Sequence, residues 1–97
     1  MSDRHRLNML YDAAAQAGLL KAATFAGVVV WVDFRAPDED VLDGLGVSRK
    51  YTIRYPAERL ALTTGDELTI DSERYRVREV RQVGDGSECR ATLTRLT

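Results

Sequence analysis

Histidine, cysteine and proline are nearly missing from this chain, which has one His, one Cys and two Pro in 97 residues. The single cysteine, Cys89, rules out an intrachain disulfide and fits a reducing compartment. Zinc sites built from Cys and His ligands are excluded by the same count. The longest apolar run, Ala26 to Val32, is far too short to span a bilayer. The opening residues MSDRHRLNML are too polar for a signal peptide, so the expectation is a cytoplasmic protein with no membrane partner. A surplus of charge is absent as well: 14 Lys and Arg stand against 15 Asp and Glu, for a net charge of −1. Dedicated duplex binders draw affinity from neutralising phosphates and carry a basic surplus. Any nucleic-acid role here has to rest on local patterning.

What is present is an ordinary globular composition, 44% hydrophobic and 30% charged. The length fits one domain over residues 1–97, able to bury roughly 60–65% of the surface of its unfolded chain. Internal repeats and low-complexity segments are absent from the sequence.

Residues 3–17, within an N-terminal segment 1–20, read as a helix. Leu7, Leu10, Tyr11 and Ala14 share one face, and Gly18 is placed to end it. The apolar stripe is thin, so this helix needs a partner surface. Thr24 to Phe34, TFAGVVVWVDF, is rich in β-branched and aromatic residues and reads as one long strand. Gly27 then marks a bulge or bend, and the run Val28 to Val32 implies cover on both faces. Residues 35–48, RAPDEDVLDGLGVS, have little periodicity and read as a long, flexible acidic loop that also carries Val41, Leu42, Leu45 and Val47. Such a segment suits docking with ordering on contact.

Beyond it, KYTIRY alternates, with Tyr51, Ile53 and Tyr55 on one face and Thr52 and Arg54 on the other, and Pro56 ends the strand. Ala57 to Leu62 is ambiguous between a helical turn and a short strand. ELTIDSERYRV reads as a hairpin through Asp71-Ser72. Tyr75 and Val77 face inward and Arg74, Arg76 and Arg78 outward, while Val80 is out of phase unless a bulge intervenes near Arg78-Glu79. Gly84-Asp85-Gly86 is a further hairpin signal, and Cys89, Ala91 and Leu93 line the inner side of a last strand. The expected fold is α+β and mostly β: one helix and about five or six mainly antiparallel strands in a small sandwich or partly closed barrel.

No catalytic constellation is visible. His5 has no evident partner, and Cys89 has the phase of a small core residue. Asp38-Glu39-Asp40 lacks the alternating ligand spacing of a calcium loop, and GDGSE is not a phosphate loop, so no cofactor or metal is expected. The arginines of ERYRVREVR remain. Arg54 and Arg90, on outward phases of other strands, widen that basic stripe. Nucleic-acid binding would want exposed aromatics for stacking, and Tyr51, Tyr55 and Tyr75 are on inward phases. A solvated strand face, or a contact in which arginines meet acids such as those of the 38–43 segment, fits better.

The second half, GDELTIDSERYRVREV followed by GDGSECRATLTR, resembles the lambda-type phage head–tail joining proteins, as does LNMLYDAAAQAG near the start. The resemblance implies a compact β-structure with a helix, related to tail-tube and tail-terminator subunits. It also implies a structural virion protein, monomeric when free, that assembles as a ring at the phage neck. The ring would lie between a head-completion protein and a tail-terminator protein, in the host bacterial cytoplasm during assembly and in the virion neck afterwards. DNA would pass its channel without tight binding. On this reading the expected contact residues are Asp38, Glu39, Asp40, Val41, Leu42 and Leu45 in the loop and Arg74, Arg76 and Arg78 on the strand. A tail terminator or tail-tube-like subunit, and a small β-barrel nucleic-acid module, are the alternatives.

Overall fold

The computed structural model describes residues 3–37 and 50–96. Helix α1 (Asp3–Gln16) is followed by strands β1 (Lys21–Phe25), β2 (Val28–Arg35), β3 (Tyr51–Pro56), β4 (Glu67–Ile70), β5 (Glu73–Val83) and β6 (Glu88–Arg95). The strands close into a barrel in the order β1-β2-β3-β6-β5-β4, and every neighbouring pair is antiparallel. The mostly-β expectation holds, with closure complete where partial closure was expected.

Helix α1 ends as its sequence predicts. Gly18 takes the left-handed conformation at φ 77°, its N–H donates to Ala15 O, and the Leu19 N–H donates to Ala14 O. Those two bonds satisfy carbonyls that the helix leaves open.

The single long strand expected over Thr24 to Phe34 is instead a hairpin. Ala26 and Gly27 both have positive φ, 52° and 82°, and form a two-residue turn between paired Phe25 and Val28. Two consecutive left-handed residues match the right-handed twist of the flanking strands. The usual asparagine signal is missing because alanine occupies the first turn position. The valine run is not covered on both faces either. Val30 and Val32 point into the core, while Val29 is 59% and Trp31 43% exposed. A closed barrel has one inside and one outside, so alternation persists beneath an apolar run.

The Asp71-Ser72 connection is a second hairpin with two left-handed residues, φ 52° and 68°. The expected bulge is present in β5: Val77 pairs with Leu93 and Glu79 with Thr92, leaving Arg78 over. Val80 thereby returns to the inner face and packs against the core.

Strands β3 and β4 are three places apart in either direction around the barrel. The link between them, residues 57–66, therefore crosses one barrel end, and its Leu60 and Leu62 are buried in the core cluster. Ala57 to Leu62 is accordingly neither helix nor strand, but a turn and an irregular stretch. The link is fastened to β5 by Gly65 N–H to Val77 O (2.9 Å) and Val77 N–H to Asp66 O (2.8 Å). Ile53, Ile70, Val32, Val77 and Leu93 fill the interior. Phe34, Tyr51 and Tyr75 pack with ring centroids 5.2–5.8 Å apart where β2 ends and β3 and β5 begin.

Candidate functional site

The alternating arginines of β5 lie on the outer barrel wall, as their phase requires. They are not a free basic blade. Arg74 and Arg76 share one carboxylate, Glu67 of β4, through Nη2 to Oε1 at 2.8 Å and Nη2 to Oε2 at 3.0 Å. The two guanidinium groups, Arg74 first, hold the Glu67 carboxyl below its ordinary value. Arg78, the bulged residue, donates from Nε to Thr94 Oγ1 at 2.8 Å, and Arg95 pairs with Glu73 at 3.0 Å. The sequence places acids such as Glu73 close to the arginines but not Glu67, which reaches Arg74 and Arg76 from the neighbouring strand.

A second basic row crosses the wall further along. Asp33 pairs in register with Arg54, Arg54 with Arg90, and Arg90 with Arg81. Arg54 is held by Glu88 at 3.0 Å, Arg81 by Glu79 at 2.9 Å, and Arg35 by Asp33 at 3.2 Å. Arg90, exposed at the middle of the row, has no ion-pair or hydrogen-bond partner among the described residues. A cleft of about 350 Å³ opens here, lined by Asp33, Arg35, Thr52, Arg54 and Arg90. The outward phases of Arg54 and Arg90 were legible. Their alignment with Arg81, past the bulge, was not.

Helix α1 packs beside this row against β2 and β3. Tyr11 donates its hydroxyl to Glu88 Oε2 at 2.5 Å, so one carboxylate ties the helix and Arg54 together. Burial, and then Glu88, push the Tyr11 hydroxyl far above its ordinary pKa, leaving it a donor at any ordinary pH. Asn8 donates to Glu58 at 2.6 Å, and Arg59 grips Asp12 with two bonds of 2.8 and 3.2 Å. The arginine beside it holds the Asp12 carboxyl below its usual value. The thin apolar stripe is thus supplemented by polar clamps.

Large apolar side chains remain outside. Met9, Leu10 and Leu19 are exposed around α1, and Val28, Val29 and Trp31 on the β1–β2 hairpin. Tyr51, Tyr55 and Tyr75 are turned inward, so the basic wall does not present them for stacking on bases. Cys89 is half-buried against the core. Among the described residues, no group of three His, Cys, Asp or Glu is arranged to hold a metal ion. Also among them, no helix is long and apolar enough to cross a membrane. Asp38, Glu39, Asp40, Val41, Leu42 and Leu45 lie outside the described residues; of the expected 35–48 loop, Arg35 is the last residue of β2.

The profile of the Phage Head-Tail Attachment protein family matches residues 3–94. The chain belongs to that family. The match runs from the first turn of α1 into β6, so it spans the helix, the barrel and the basic wall alike. Membership supports a structural role in joining phage heads to tails. No curated protein matches the chain. Its described surface consists of a wall of ion pairs, an arginine row in which Arg90 alone lacks a partner among the described residues, and exposed apolar residues on a helix and a hairpin.

Proposed function

We propose that this head–tail attachment protein is a non-catalytic component of the virion neck, folding as one unit and assembling as a ring on contact. Its neighbours are other copies of itself, a head-completion protein on one side and a tail-terminator protein on the other. The family match over residues 3–94 carries this reading. The exposed Val28, Val29 and Trp31, with Met9 and Leu10, supply apolar area that contact would remove from water. Asp38, Glu39, Asp40, Val41, Leu42 and Leu45 are assigned to contacts that form on assembly, and Arg74, Arg76 and Arg78 to the contact face of the barrel. Because Arg74 and Arg76 already share Glu67, they set orientation and register more than affinity. DNA passes nearby without being gripped, since Glu67 offsets part of this charge and the chain as a whole carries no basic surplus.

The test is a joining assay. Lysates of the source phage lacking this gene are expected to hold DNA-filled heads beside free, finished tails, and adding the purified protein joins them. Tails of uncontrolled length in the lysate would make the protein a terminator, and normal infectious particles would overturn the virion reading.

A further inference from the structure

The row Arg54, Arg90, Arg81 places three guanidinium-bearing residues side by side on adjacent antiparallel strands. Directly opposed residues are only about 5 Å apart at Cβ, and like charges there are destabilising. Two of the three are relieved by their own carboxylates, Glu88 and Glu79; Arg90 between them has none among the described residues. Among the described residues around the cleft, Arg35, Arg54, Arg81 and Arg90 face Asp33, Glu79 and Glu88, an excess of one positive charge. An excess of one suits a carboxylate side chain. It does not suit a nucleic-acid backbone, where affinity grows with each phosphate neutralised and one contact contributes little.

The same chain carries a concentrated supply of carboxylates, Asp38, Glu39, Asp40 and Asp43, within one short stretch. A head-to-tail ring requires two different, complementary patches on every copy, because each copy offers one and receives the other. We infer that the Arg54–Arg90–Arg81 row receives the acidic segment Asp38–Asp43 of a second copy of this chain. A carboxylate of that segment sits against Arg90. The inference rests on the ring reading above and names the contact that closes each subunit onto the next.

A charge-swap experiment in the joining assay tests it. One variant is Arg90→Glu. The other replaces Asp38, Glu39, Asp40 and Asp43 by lysine. Each alone is expected to lower joining at least about tenfold, since opposed like charges in an interface cost several kcal/mol. The two variants mixed in equal amounts are expected to recover joining, because the acids of one chain meet Arg90 of the other and its lysines meet the new glutamate. Recovery only when all changes are in one chain would place the contact within a single copy and overturn the inference. Normal joining by Arg90→Glu would overturn it too, as would failure of both the mixture and the combined chain. Arg90 is exposed, and unchanged thermal melting of each variant separates lost contact from lost fold. The milder Arg90→Gln should show the same loss in smaller degree. If the unaltered protein does not join heads to tails, the joining reading itself falls, and this inference with it.

Discussion

Glu67 shows how much one side chain decides on this surface. It binds two arginines that a strand pattern alone presents as unpaired. Its carboxyl, like that of Asp12 beside Arg59, titrates below the ordinary range when folded. A depressed carboxyl contributes stability that is fully present above its unfolded value and is lost as pH falls through the folded one. Stability should therefore decline as pH drops below the ordinary values of 4.5 for Glu67 and 3.8 for Asp12. Glu67→Gln should flatten part of that decline in urea melts taken across the acid range. Tyr11 is a different case, because it is 7% exposed and its hydroxyl reaches a carboxylate. Tyr11→Phe leaves Glu88 one donor short and should cost about 1–3 kcal/mol in denaturant unfolding. Ile53 is fully enclosed, and Ile53→Ala should cost about 2–5 kcal/mol, a large part of a small domain's stability.

The β1–β2 hairpin carries the clearest element-level prediction. Ala26 takes a left-handed conformation that costs an alanine about 1–2 kcal/mol and an asparagine less. Ala26→Asn should raise unfolding stability by about 0.5–1 kcal/mol, measured by chemical denaturation. The same residue explains the main misreading of the sequence. An Asn-Gly pair would have announced the reversal, whereas Ala-Gly inside a run of β-branched residues looks like a bent strand. Elsewhere local chemistry sufficed. The alanines and Gly18 fixed α1, the alternation of Tyr51, Ile53 and Tyr55 fixed β3, and the phase slip between Val77 and Val80 betrayed the bulge. What sequence could not show was partnership across the sheet. Glu67 and Glu88 find their partners through register, and register depends on closure of the whole barrel. The surface arginines were legible as positions but not as charges already spoken for.

At the scale of the molecule, the barrel is sealed unevenly. The first and fourth strands meet only through Ala23–Ile70 and Thr24–Thr69, while the fifth and sixth pair along their length from Tyr75–Arg95 to Val83–Glu88. Local opening should begin at the short seam. Amide hydrogen exchange is expected to be faster in β1 and β4 than at the β5–β6 pairing. The only tryptophan, Trp31, lies 43% exposed on β2 beside that seam. Its fluorescence should shift to the blue when the β1–β2 hairpin is covered during joining, and an unchanged spectrum would remove that hairpin from the contact surface.

The link that crosses the barrel end has a consequence for conduction. Leu60 and Leu62 stopper one mouth, and Val32, Ile53, Ile70, Val77 and Leu93 occupy the bore. Six strands enclose room for side chains and nothing more. A single copy is therefore a solid stave and not a pipe. Any passage for a genome through an assembly of these chains is bounded by their outer walls, so the residues that line it come from the solvent-facing phase of the strands and never from the core.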